Sequence, residues 1–239
     1  GVYWWWTSQS GQAAEPAALT GSVEAGQYQI TPALAGRITA IEVAEGDQVT
    51  KGQELVRLDQ AALKLQVEQA KQGVTAAKAA LKNAKDDDDS TKADITAAEA
   101  RLEQARAAVK LAEVQLGYTV ITSPTAGTVV SVTTNVGQNA APGKTMLTLV
   151  NPGDLFVRVF VPETEIGNVT IGQAARVTTD SSADRFDGKV TFIASEAEFT
   201  PNTVQTKDQR VKLVYEVRVQ VTDPSGTLKA GMPVDVALG

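Results

Sequence analysis

The sequence predicts a mainly β fold with an α-helical coiled-coil hairpin inserted into it, and three observations carry this reading. Residues 33–59 and 122–150 share one pattern: a Gly, a short alternating strand, a second Gly turn and a closing apolar run. Between them lie two runs with heptad spacing, the signature of helices packed on each other. Beyond residue 150 the chain breaks into short alternating strands separated by Gly turns, which suggests a small β-barrel.

Composition narrows the chemistry before any motif is read. The chain of 239 residues contains no His and no Cys, which removes imidazole bases, thiol nucleophiles, zinc centres and disulfides together. Any reaction would have to run on carboxylates, Lys, Ser or Tyr, so a non-enzyme is expected, with no catalytic residue, cofactor or metal. The formal charge of −6 argues against nucleic acid, because phosphate binding needs a concentrated basic surface.

Residues 1–16 form a tail that holds all three tryptophans, Trp4, Trp5 and Trp6. Clustered aromatic rings suit the membrane–water interface, so this tail is expected to be membrane-proximal, behind a signal anchor upstream of Gly1; the alternative is an aromatic patch packed on the protein or on another chain. No run of about 18 apolar residues occurs that could span a bilayer by itself. Residues 17–31 are expected to supply one or more strands to the barrel or to a membrane-proximal region. Residues 32–58 then form the first β half, with turns at Gly46, Asp47 and Gly52.

Residues 59–117 read as the hairpin. On its first arm the seam falls at Leu63, Val67, Ala70, Val74, Ala77, Leu81 and Ala84. On its second it falls at Ile95, Ala98, Leu102, Ala105, Val109, Ala112 and Leu116. Steps alternating between three and four hold the mean period of a left-handed two-stranded coil. Folding back at the tip, residues 85–91, is expected to place Leu81 against Ile95, Val74 against Leu102 and Val67 against Val109. The tip reads Lys85, Asp86, Asp87, Asp88, Asp89, Ser90, and Thr91 with Asp94 has the spacing of a capping box. Four adjacent aspartates invite a calcium reading, but they lack the alternating ligands and central Gly of such a loop and are read as an exposed tip.

Residues 118–150 form the second β half, with Gly127 and Gly137 read as turn glycines of the kind at Gly46 and Gly52. Residues 151–223 form the barrel, with strands around 154–161 and 212–221 and a one-turn helix after Pro162. Residues 224–239 end in a strand that closes the barrel or enters a membrane-proximal domain.

The string from Gly36 to Leu55, G-x-I-x-x-I-x-V-x-E-G-D-x-V-x-K-G-Q-x-L, resembles the first half of a biotinyl/lipoyl-type domain, and Ser123-Pro124 with Gly127 resembles the start of its second half. Carrier proteins of that kind hold a modified lysine on the turn joining the halves, and here the hairpin stands in its place. A split lipoyl-like domain, or barrel-sandwich hybrid, that carries a helical hairpin resembles periplasmic adaptors, the membrane fusion proteins of the HlyD type. Motifs at 198–206, 213–215 and 228–234 are similar to the YbhG-like and MacA-like branch associated with ABC exporters.

That resemblance implies a non-catalytic periplasmic subunit held at the inner membrane, linking an ABC-type transporter to a distal channel in efflux or secretion. It further implies a homo-oligomeric ring, a hexamer in that family, with the hairpins as a sheath. Adaptors that dock on a TolC-type outer-membrane channel often carry an Arg, Leu and Ser set around the tip; this tip has none, so that docking is not implied. Two alternatives stand beside it: a coiled-coil scaffold at the cell surface, and a biotinyl or lipoyl carrier using Lys51 or Lys144.

Overall fold

The computed structural model describes residues 18–199, 213–223 and 225–239. In chain order the elements are β1 (Leu19–Ile30), β2 (Gly36–Ile41), β3 (Gln48–Val49), β4 (Glu54–Leu58), α1 (Ala61–Asp86), α2 (Lys92–Gly117), β5 (Val120–Thr122), β6 (Gly127–Val132), β7 (Asn139–Ala140), β8 (Leu147–Pro162), α3 (Glu163–Ile166), β9 (Ala174–Thr179), β10 (Ser182–Ile193), β11 (Glu198–Phe199), β12 (Leu213–Val221) and β13 (Pro233–Leu238). The chain divides into two compact units, residues 27–151 and residues 1–26 with 152–239.

In the first unit each β half is completed by the other. Strand β2 pairs with β7 through Gly36 and Ala140, and β6 pairs with β3 through Gly127 and Val49. Gly46 N donates to Val129 O and Gly137 N donates to Ile38 O, both at 2.8 Å. Corresponding residues are always 91 positions apart: Gly36 and Gly127, Ile38 and Val129, Gly46 and Gly137. Even the strand irregularities repeat, between Ile38 and Ala40 and between Val129 and Ser131. The shared core includes Ile38, Leu55, Leu58, Val129, Met146 and Leu149, all nearly inaccessible to solvent.

Strands β4 and β5 are antiparallel neighbours, and Leu58 N donates to Thr119 O at 2.8 Å. The hairpin of α1 and α2 therefore springs from two adjacent points, where a simpler domain would have a β-turn. Each helix has 26 residues, about 39 Å at 1.5 Å per residue. In both, the 14 heptad positions named above are the ones withdrawn from solvent, and every other helical residue is exposed.

The register differs from expectation. Helix α1 runs to Asp86 and α2 starts at Lys92, so the helix ends centre on Asp89, beyond the Asp88 that the expected layers require. At the base Gln60 Nε2 donates to Thr119 Oγ1 at 2.8 Å, and near the tip Lys85 Nζ lies 3.3 Å from Glu99. These brackets set Leu81 level with Ala98, Ala77 with Leu102, Val74 with Ala105 and Val67 with Ala112. The physical reason is volume: the expected layers alternate two large residues with two alanines, whereas those this register gives set a large residue against a small one everywhere except at the base, where Leu63 meets Leu116. Helix axes can then keep a constant separation, and Ala84 and Leu116 are no longer left over.

In the second unit six strands close a barrel. Strand β13 pairs with β1 and β9, β9 with β10, β10 with β12, and β12 with β8, which neighbours β1. Alternate residues such as Val157, Val159, Val217, Val219 and Val236 fill the interior. Gly21 and Gly188 are required by close approach: a Cβ at Gly21 would stand 2.4 Å from Val159 Cγ1, and one at Gly188 would stand 2.6 Å from Val219 Cγ1.

Candidate interaction surfaces

The hairpin tip is built by local hydrogen bonds. Asp87 Oδ1 accepts from Asp89 N at 3.0 Å, and Asp86 pairs with Lys82 at 2.6 Å. Thr91 Oγ1 accepts from Asp94 N at 3.2 Å while Asp94 Oδ2 accepts from Thr91 N at 2.9 Å, completing the capping box that starts α2. Hydrogen bonds from the Thr91 side chain, and then from its backbone, hold the Asp94 carboxyl below its ordinary range. Asp86, Asp87, Asp88 and Asp89 are exposed and Ser90 is half-buried. Among the described residues no group of three or more His, Cys, Asp or Glu could hold a metal ion.

The glycines anticipated as turns divide into two kinds. Gly46, Gly52 and Gly137 have φ of 95°, 84° and 90°, the left-handed region that glycine enters without strain, and Asp47 Oδ2 braces the Gly46 turn by accepting from Ala44 N at 2.8 Å. Gly127 is not a turn residue: it opens β6 with no positive φ, and a Cβ there would stand 2.6 Å from Val150 O. Reading the sequence missed Gly143, at φ 81°, the counterpart of Gly52 in the second half. The signal was present, since the two glycines stand the same 91 positions apart as the other matched pairs.

The seam residues Leu63, Val67, Val74, Leu81, Ile95, Leu102, Val109 and Leu116 come together along one interface, with Val67, Ala98, Leu102 and Ala112 the most enclosed. Trp4, Trp5 and Trp6 lie outside the described residues. Among the described residues no helix is long and apolar enough to cross a membrane. Lys51 and Lys144 sit in the turns beside Gly52 and Gly143, away from the β4–β5 junction that the hairpin occupies.

The barrel carries an ionic cluster on its outer surface that no sequence motif announced. Arg158 and Arg218 lie directly opposite each other on β8 and β12. Glu216 accepts from both, at 3.1 Å and 2.7 Å, and Glu24 of β1 lies 3.0 Å from Arg158. The Arg218 guanidinium stacks over Phe192 and Phe156 at 4.7 and 5.5 Å from the ring centres. This arrangement ties four strands and holds no reactive group.

Residues 26–151 match the family described as the barrel-sandwich hybrid domain of RND membrane fusion proteins (MFPs), and residues 154–239 match the CusB-like β-barrel domain. A UPF0194 membrane protein of Acidithiobacillus ferridurans is 38% identical over 146 residues, which is 61% of this chain and 43% of that protein. One from Yersinia pseudotuberculosis is 32% identical over 234 residues, covering 95% of this chain and 71% of the relative. The UPF0194 membrane protein YbhG of Salmonella gallinarum is 28% identical over 306 residues, covering 99% and 92%. A solved MacA–MexA chimera with the Pseudomonas aeruginosa MexA α-hairpin superposes with TM-score 0.75 at 24% identity, covering 95% of this chain and 83% of that one. The membrane fusion protein Spr0693 of Streptococcus pneumoniae superposes with TM-score 0.72 at 22% identity, covering 93% and 98%, and the fold is therefore common to both. Two adjoining domain matches and a relative covered over most of its length leave one assignment: the chain belongs to the membrane fusion protein family of non-enzymatic periplasmic adaptors.

Proposed function

We propose that this chain is the adaptor of an ABC-type export system. In this reading the barrel side meets the inner-membrane transporter, with Trp4, Trp5 and Trp6 at the membrane. Copies assemble into a ring, taken as a hexamer, and the tip at Lys85, Asp86, Asp87, Asp88, Asp89 and Ser90 meets a distal partner. The hairpin carries the proposal: 26-residue helices rising from adjacent strands of a small sandwich have no catalytic use, but they extend the domain's reach by about 39 Å. Support for an ABC partner comes from the resemblance of residues 198–206, 213–215 and 228–234 to the YbhG-like and MacA-like branch, with which the likeness to YbhG agrees.

A second reading has its own observation, because both family descriptions name or derive from RND systems. Affinity purification of the full-length protein from detergent-extracted native membranes separates the two. Recovery of an ATPase subunit with its permease supports the ABC assignment. Recovery of a single large proton-driven pump, or of no transporter at all, overturns it.

A further inference from the structure

One stretch of the barrel's outer surface is floored by small residues and rimmed by charges of both signs. The pairing of β9 with β10 and β13 fixes which side chains share it. In one row Arg176 stands between Asp187 and Ala237, and in the next Thr178 stands between Arg185 and Asp235. Alternate residues of a strand share a face, so both rows look outward while Val177, Phe186 and Val236 fill the core. Because Ala18, Ala174, Ala237 and Gly239 carry little or no side chain, the face is hollowed there into a cavity of about 560 Å³.

The four charges around this cavity do not neutralise one another. Elsewhere on the barrel, Arg158 and Arg218 are held by Glu24 and Glu216. Among the described residues, by contrast, the Arg176 and Arg185 side chains have no hydrogen-bond or ion-pair partner, although Asp187 lies directly across from Arg176. The Asp235 carboxylate accepts from Thr20 Oγ1 alone, at 3.4 Å. Both guanidiniums and both carboxylates therefore keep bonding capacity for something that enters. Two cations and two anions sum to zero, so a bare anion is drawn by the arginines and opposed by the carboxylates. A ligand with one charge of each sign satisfies both.

We propose that the cavity binds a zwitterion in which a primary ammonium and a phosphate diester lie a few bonds apart, the chemistry of a phosphoethanolamine headgroup. The phosphate oxygens sit between Arg176 and Arg185, diagonal neighbours about 7–8 Å apart at Cα whose planar forks match an oxyanion. The ammonium lies beyond Thr178, where its N–H groups donate to Asp235. Asp187, beside both arginines, opposes a second negative charge and so favours a diester over a free phosphate dianion. Methylene and glycerol carbons rest on the alanine floor, in a cavity of a size that suits a small ligand. Such binding is independent of the export reading.

The headgroup can be met at a membrane or in solution, and two measurements separate these sources. Titration of the 239-residue chain with glycerophosphoethanolamine should give saturable shifts of the Arg176 and Arg185 Nε–H resonances and of the Ala237 amide. Inorganic phosphate, ethanolamine and glycerophosphocholine should each bind at least about tenfold more weakly, the last because its quaternary ammonium donates no hydrogen bond to Asp235. Arg176→Gln and Arg185→Gln, both at exposed positions, should keep the parent's thermal unfolding and weaken binding by about tenfold or more. Ala237→Leu, which fills the floor without changing charge, should weaken it as well. Absence of saturable shifts, phosphate or glycerophosphocholine binding as tightly as glycerophosphoethanolamine, or arginine variants binding like the parent, overturns the proposal. Flotation with vesicles of mixed phosphatidylethanolamine and phosphatidylcholine, but not of phosphatidylcholine alone, and its loss in Arg176→Gln, supports a lipid as the source. Saturable headgroup binding without flotation supports a soluble zwitterion.

Discussion

Gly36 and Gly127 occupy equivalent places in the two β halves, yet replacing them with Ala should have unequal consequences. Neither has a positive φ, so the left-handed penalty is absent and contact alone decides. At Gly127 the new Cβ would stand 2.6 Å from Val150 O and 3.2 Å from Val150 C, which are backbone atoms of the strand paired with β6. Relief requires β6 and β8 to part, at about 2–3 kcal/mol in a close-packed site. At Gly36 the Cβ would meet Leu58 Cδ1 at 3.3 Å and Leu58 Cβ at 3.4 Å, part of it a side chain that can yield by a few tenths of an ångström. That smaller cost is offset by about 0.4–1 kcal/mol from the stiffer unfolded chain, leaving Gly36→Ala within about 1 kcal/mol of neutral. Urea unfolding of the chain, with amide exchange at Val129 and Leu149 to report on this unit, measures both. For a slope of about 1.5 kcal/mol/M, Gly127→Ala should lower the midpoint by more than about 1 M. A Gly36→Ala loss as large as that of Gly127→Ala would refute the reasoning.

Leu102→Ala should cost about 2–4 kcal/mol, seen as loss of helical circular dichroism at lower denaturant, because Leu102 is 7% exposed and faces Ala77. Leu111→Ala, at 61% exposure, should leave the monomer's stability within about 0.5 kcal/mol. Glu216→Ala leaves Arg158 and Arg218 opposed without their shared carboxylate, and thermal unfolding should register about 1–2 kcal/mol, shrinking as salt is raised. The Asp94 carboxyl is held low by Thr91, so its capping contribution is full above the unfolded carboxylate range and disappears as pH falls through the folded value. The Thr91 amide resonance should follow that loss, and in Thr91→Ala the Asp94 titration should move back up toward the ordinary range.

The faces of the hairpin were legible because heptad spacing states which residues turn inward. Register was not, because two registers related by a three-residue slide bury the same residues; the length of the turn and the large-against-small layers choose between them. Gly127 was legible as a glycine but not as to reason, since a close strand approach leaves no mark that separates it from a turn. Gly143 could have been found by sliding one β half along the other. The Glu216 cluster was invisible, because Glu24, Arg158 and Arg218 meet only after strands distant in sequence have closed the barrel.

The adjacency of the hairpin's two roots has a consequence for how such proteins change over time. Because α1 leaves from Leu58 and α2 returns at Thr119 across one hydrogen bond, insertion or loss of seven residues in each arm alters neither the roots nor the seam. Each such step moves the tip by about 10.5 Å, and the sandwich beneath is untouched. In the reading proposed above, distance to a distal partner becomes a quantity that can be reset in fixed increments, with the tip residues carried unchanged at the end of the arm.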